Sequence, residues 1–438
     1  MNARGWRISR RRCFEEGNPG RTHKGMGGLA GAARPRPAAA ADRRQPPQVQ
    51  TASVAVDPGQ LAVASAMPLR SLIYRHRLLA KRVIATAVRV LPGAASRRLL
   101  ALAERVAFSV TPQYQGDTLP PICHYWTGRY LADEARRLGF GSAEALYRDR
   151  IVQRNRETGE PVRVASAGCG AAGMEIELAR GLKSDGIPVL ITCFDFNPGL
   201  MRHATDMAQA ADVADTMRFE VRDCNQPFAL PAQDVIIVNQ FFHHVTALET
   251  FCTSLRQSLA PAGVLLSSDI IGRNGHQLWP DVALVVERFW ATLAPAQRHD
   301  RHFGRVCENY RSIDHAAYSN EGVRAQDVVA CLLAAFDFEL FYSFGGAIMP
   351  FVERRIGFNF DPANAADRTF IDNVQQADAN VLAEERYPAA NMVAVLRHRG
   401  HAVQPVHVPI SPQRHVELTE RQLRRLRDAA GPGPVPAE

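Results

Sequence analysis

Downstream of Thr111, short apolar runs alternate with stretches of helical spacing. The runs 162–166, 189–194, 235–238 and 264–268 are largely apolar, as strands are when helices cover both faces of their sheet. Residues 217–221 alternate instead, which suits an edge strand. Apolar positions recur at helical spacing over 171–182, 200–213 and 246–259, and a further helix over 128–150 is broken at Gly139 and Gly141. This order predicts a parallel, doubly wound α/β sheet. The alternation lapses over 272–322 and resumes with a helix at 324–335 and a strand at 338–344. A second lapse, 346–390, precedes a last strand at 392–397. Lapses of that length inside a compact domain are lids or small helical subdomains. The tail, 401–438, carries one charged helix over 417–429 and ends in a Gly/Pro run.

The first quarter of the chain reads differently. Residues 1–66 are rich in Gly, Pro, Ala and Arg and predict a disordered segment, with Met67 as an alternative beginning. Over 69–91, Leu72, Ile73, Leu79, Val83, Ile84, Val88 and Leu91 recur at near-helical spacing among basic side chains. Such a helix either lies on an anionic membrane surface or packs on the protein with a solvated basic face. The domain reading is therefore a low-complexity segment (1–66), a basic helical region (67–116), a helical cap (117–160), an α/β domain with two insertions (161–400) and a tail.

The chain has 438 residues, 46% of them hydrophobic, enough for a sizeable core. Its net charge of +8 is unevenly spread. Residues 1–66 hold 11 basic and 4 acidic side chains, 67–110 hold 9 and 1, and the remainder is net acidic. A folded body with that balance argues against a nucleic-acid partner. None of the eight cysteines forms a CxxC pair, so reduced thiols in a cytoplasmic protein are expected. No apolar run reaches the length of a membrane span, and the early arginines lead into no apolar leader core.

The sharpest local feature is Gly168-Cys-Gly170-Ala-Ala-Gly173, between the first predicted strand and helix. Glycines there let backbone approach a ligand closely, and the helix start offers unpaired N–H groups. Asp195 ends the second strand, where a carboxylate accepts hydrogen bonds from ribose hydroxyls. Asn197, ahead of Pro198, is better placed to cap the next helix. A nicotinamide enzyme or a methyl-donor enzyme would fit this much.

The elements that follow separate the two. Asp223-Cys224 ends the third strand, Asn239-Gln-Phe-Phe-His243-His244 the fourth, and Ser258-Leu-Ala-Pro-Ala-Gly263 turns into the fifth. With these the chain resembles class I S-adenosylmethionine-dependent methyltransferases of the bacterial small-molecule type over roughly 160–400. The resemblance implies a seven-stranded Rossmann-like sheet of order 3-2-1-4-5-7-6, with 392–397 as an antiparallel strand seven. It also implies S-adenosyl-L-methionine as donor: Gly168, Gly170 and Gly173 along its methionine part, Asp195 on the ribose, Asp223 and Cys224 at the adenine, and Asn239 below the sulfonium. Two positions depart from the family pattern. Ser166 stands where an acidic residue is usual, and Ala172 where the third glycine falls.

On the acceptor side, His243 and His244 follow the fourth strand, next to the expected reaction centre, and one of them is the candidate general base. No HExxH occurs, and Asp269, His276, His299 and His302 form no recognised ligand spacing, so no metal is expected. Aromatic and basic residues of the insertions, among them Arg273, Trp279, Trp290, Tyr310, Phe351 and Arg355, would either cover a small-molecule acceptor or form the insert's own core. A nicotinamide-dependent oxidoreductase and a non-catalytic scaffold are the alternatives. The lysines are Lys24, Lys81 and Lys183, none in the acceptor half, which counts against a lysine-assisted reductase.

Overall fold

The computed structural model describes residues 119–401 and 404–430. The segments expected to be disordered (1–66) and basic-helical (67–116, with the membrane-surface candidate 69–91) lie outside the described residues, as does the Gly/Pro end of the tail.

Helix α1 (Pro121–Trp126) runs through a π-helical turn, Thr127–Leu131, into α2 (Ala132–Arg137), and α3 (Ala143–Thr158) follows. The chain breaks between α2 and α3, where the sequence places its paired glycines. Ser142 caps α3 by accepting from Ala145 N at 3.1 Å, and Gly159, at φ +69°, ends it. Then come β1 (Val162–Ala167), α4 (Gly173–Ser184), β2 (Val189–Asp195), α5 (Pro198–Ala210), β3 (Met217–Val221), β4 (Gln233–Asn239), α6 (Leu248–Ser258) and β5 (Leu259–Ile270). The first insertion holds α7 (Pro280–Trp290) and a hairpin of β6 (His299–Asp300) and β7 (Arg305–Val306). After it come α8 (Val328–Ala335), β8 (Phe336–Phe344), α9 (Met349–Val352), α10 (Ala365–Ala383), β9 (Asn391–His398), β10 (Val406–Val408) and α11 (Pro412–Ala430).

The main sheet runs β3-β2-β1-β4-β5-β9-β8-β10. Strands β1 to β5 pair in parallel, and β9 lies antiparallel between β5 and β8. This is the expected order with 392–397 inserted antiparallel, and β3 is an edge strand as its alternation suggests. An eighth strand extends it: β10 pairs in parallel with β8 through Val406, His407 and Val408.

Side chains alternate across the sheet into two cores. Val164, Ile191, Ile237 and Leu266 pack under α3, α4 and α5, and Ala165, Ile236, Val238 and Leu265 under α6 and α8. Each fully buried aliphatic side chain contributes about 1.5–3 kcal/mol, which is why these runs tolerate so few polar residues. A third core joins α1, α7, α9 and α10 into one helical body built from the N-terminal cap and both insertions. Trp279, Trp290, Phe351 and Phe360 are buried inside it. Of the two roles open to these aromatics, they take the structural one. Among the described residues no helix is long and apolar enough to cross a membrane.

Candidate active site

Parallel strands deliver their carboxyl ends to one edge of the sheet, and the predicted site residues follow those ends. The chain leaves β1 at Gly168, with φ +68°, and its N–H donates to Phe194 O at 2.8 Å. A Cβ on Gly168 would fall 2.0–2.5 Å from three Phe241 ring atoms, so no other residue fits while that ring lies against the loop. Gly170 also takes a positive φ, and a Cβ there would meet nothing within 4 Å. The loop is therefore open above Gly170, as a ligand cradle must be. Gly173 has no positive φ, whereas Ala172 sits at φ +55° as the N-cap of α4. The left-handed position is thus the one where the family usually has its third glycine.

Asp195, 6% exposed, ties this loop to the end of β2. Its Oδ2 accepts from Gly170 N at 3.2 Å and its Oδ1 from Asn197 N at 2.9 Å, while burial raises its pKa. Asn197 caps α5 by accepting from Gly199 N at 2.8 Å and Leu200 N at 3.3 Å. Ser166 donates to Glu175 Oε1 at 2.6 Å. Glu175 is buried, with its carboxyl pKa raised by that burial. A carboxylate from α4 thus lies beside the position that usually carries its own. Asp223 is exposed beyond β3 and accepts from Asn225 N at 2.9 Å, and Cys224 is buried, its thiol pushed up by desolvation. Asn239 accepts from the buried Tyr147 hydroxyl at 3.1 Å, which fixes its side chain to α3.

The two histidines do different things. His243 is 2% exposed and His244 is partly exposed. Nδ1 of His243 lies 2.6 Å from Asp269 Oδ1. Asp269, fully buried near the end of β5, also accepts from Phe241 N at 2.9 Å and Phe242 N at 2.7 Å. On the other side of the ring, Nε2 lies 3.4 Å from Glu321 Oε1. Glu321 also lies 3.7 Å from His244 Nε2 and 2.8 Å from His276 Nε2. Burial disfavours a charged His243, but Asp269, then Glu321, outweigh it and hold the pKa at about 9. Burial and the neighbouring His243 charge depress His244 to about 4. Burial would raise the Glu321 carboxyl, yet the histidines hold it well below the usual carboxylate range.

The structure brings Gly168, Gly170, Asp195, Asn239, His243 and His244 to one edge. Phe241 links the two halves, lying against Gly168 with its ring centroid 6.4 Å from that of His244. Asp223 and Cys224 follow β3 at the same edge. The residues that sequence reasoning missed are Asp269 as partner of His243, Glu321 as the hub of three imidazoles, and Glu175 and Tyr147 behind the loop. Of the basic residues placed over an acceptor, Arg273 donates to Leu278 O at 3.0 Å and Arg355 pairs with Asp300 at 2.6 Å, both inside the insert.

Residues 165–267 match the family model of the methyltransferase domain. The chain carries a methyltransferase domain. A non-reducing polyketide synthase of Penicillium rubens is 28% identical over 155 residues, 34% of this chain and 5% of that protein. A citrinin polyketide synthase of Monascus ruber is 22% identical over 154 residues, 35% of this chain and 6% of that protein. The chain thus spans about one-twentieth of the length of these curated relatives. Among solved structures, the citrinin polyketide synthase CMeT domain is similar at a TM-score of 0.30 and 13% identity, covering 64% of this chain and 59% of that one.

Proposed function

We propose that this protein is a methyltransferase that uses S-adenosyl-L-methionine to methylate a small-molecule acceptor held over His243 and His244. The observation that carries the reading is the shared edge: the open cradle at Gly170 with the Asp195 carboxylate beside it, and the imidazole cluster across Phe241. The donor, when bound, supplies an activated methyl group on a sulfonium. The residues suited to hold it are the Gly168–Gly170 backbone for the methionine part and Asp195 for the ribose. Asp223 and Cys224 would hold the adenine, and Asn239 the wall below the sulfonium.

The rest of the work falls to orientation and to the acceptor's proton. An acceptor oxygen or carbon gives its lone pair to the methyl carbon only after it has lost, or largely lost, its proton. The part-exposed His244 is the residue suited to face that atom, with His243 fixed through Nδ1 by Asp269. Hydroxyls, phenols and the carbon between two carbonyls all meet this requirement. The polyketide synthases that the chain resembles in part favour the last. A nicotinamide enzyme would lack this need for a proton-handling cluster beside the cradle. Calorimetric titration separates the two: the reading expects saturable binding of S-adenosylmethionine and none of NADH. Binding of NADH alone would overturn it.

A further inference from the structure

His243, His244 and His276 all turn Nε2 toward Glu321, at 3.4, 3.7 and 2.8 Å. They come from two separate segments, the turn after β4 and the start of the first insertion, while Glu321 comes from that insertion's far end. A hydrogen bond needs one proton per contact, and His244 and His276 as neutral rings can each place theirs on Nε2. With Nδ1–H of His243 donating to Asp269, a neutral ring presents a lone pair at Nε2 to the lone pairs of Glu321. Either a second proton on that ring or a cation must lie between them. The ring centroids lie 4.2 Å apart (His243 to His244) and 5.4 Å apart (His243 to His276), so the three imidazoles converge on one point.

We infer that His243 Nε2, His244 Nε2, His276 Nε2 and a Glu321 oxygen form a binding site for one divalent transition-metal cation. A single 2+ charge balances Glu321 and Asp269 with all three rings neutral. The donor atoms of His243, His244 and Glu321 all lie within 4.8 Å of one another, the span of a mononuclear shell. A nitrogen-rich set with one carboxylate suits zinc, iron or manganese better than calcium or magnesium. Asp269 on Nδ1 of His243 is the outer partner that fixes a ligand ring's tautomer and aims its other nitrogen.

The backbone is shaped around the same point. His276 holds φ +57°, a conformation that a non-glycine residue keeps only where its surroundings impose it. Gly322, beside Glu321, has φ +67°, and a Cβ there would come within 3.0 Å of His276 Nε2. The two arms are pinned by Gly275 N donating to Gly322 O at 2.8 Å. No motif betrays the site because its ligands are scattered, which is why ligand spacing alone predicts no metal.

The inference rests on the proposed function only for the ion's use: with His244 as a ligand rather than the base, the ion would bind an acceptor oxygen and hold the charge left when its proton departs to solvent. The test uses the full-length protein, stripped with a chelator, exchanged into buffer and titrated with Zn²⁺ and separately with Co²⁺. One equivalent per chain should bind saturably, and bound Co²⁺ should show the visible absorption of a low-symmetry site with nitrogen ligands. Glu321→Gln and His276→Ala should each weaken binding at least about 100-fold, and Asp269→Asn about 10–100-fold. Circular dichroism and S-adenosylmethionine affinity, both expected to hold in the first two variants, report on folding. Absence of saturable binding, or binding unchanged in folded Glu321→Gln and His276→Ala, overturns the site. If the stripped protein still binds donor and transfers methyl groups at full rate, the ion's use in transfer is refuted and the methyltransferase reading stands. If the ion binds but the donor does not, the reverse holds.

Discussion

At the scale of single residues, Asp195 does two jobs with one carboxylate. It joins the glycine loop to the end of β2 through Gly170 N and Asn197 N, and it is the proposed ribose anchor. Losing charge-assisted hydrogen bonds costs on the order of 1.5–3 kcal/mol each. Asp195→Ala should therefore weaken S-adenosylmethionine binding about 100-fold or more, measured by calorimetry on protein whose circular dichroism is unchanged. The placement of Asp195 at the end of β2 and the cap by Asn197 were legible in the sequence because both are local: a strand end and a helix start two residues apart. Glu321 was not. Its partners converge only after the first insertion folds back over the sheet edge, and nothing in the spacing of an exposed-looking glutamate announces that. Glu175 was hidden for a related reason. Its meaning depends on Ser166 having vacated the usual acidic position, and only coordinates show that the two side chains meet.

At the scale of elements, the apolar strands and the helices between them were readable, since burial on both faces leaves an unbroken hydrophobic signal. Strand β10 was not, because three residues cannot show a period. The sequence pattern places the start of helix α11 at 417, whereas it begins at Pro412. Its buried face carries His415, Thr419 and Gln422 beside Leu418, so polarity masks the helical period. Gln422 donates to Asp281 Oδ2 on α7 at 2.8 Å, and His415 Nε2 donates to Ala389 O at 3.1 Å. Burial holds His415 down at about 4. The unfolded chain protonates this ring near 6.5 and the folded one only near 4. The stability it allows is therefore complete above 6.5 and falls as pH drops through that window. At about 1.4 kcal/mol per pH unit, about 2 kcal/mol of this one group's share is gone by pH 5. Urea unfolding at pH 7.5 and pH 5 should show a smaller acid loss in His415→Leu than in the wild type, and an equal loss in both would refute the linkage.

At the scale of the molecule, the doubly wound sheet carries the proposed donor side, and the first insertion supplies Glu321 and His276 to the proposed acceptor side. The fold class followed from alternation along the chain, whereas the joining of two insertions and the N-terminal cap into one core did not, since it is a contact between distant segments. Residues 1–66 are expected to contribute to neither half. Their deletion should leave thermal stability and methyl transfer unchanged, checked by melting curves and turnover, and loss of folding would show that the segment packs.

The central claim is that donor and acceptor meet at the shared edge between Asp195 and His244. The most direct measurement is transfer of label from methyl-labelled S-adenosylmethionine into a small-molecule extract, run with the wild type, Asp195→Ala, His243→Gln and His244→Gln. The wild type should yield a discrete labelled product. Asp195→Ala should lose labelling through donor affinity, and His244→Gln should lose about 10²–10⁴-fold in turnover with donor affinity near normal. A wild type that binds the donor yet labels nothing, or folded Asp195→Ala and His244→Gln variants that label as the wild type does, would contradict the account.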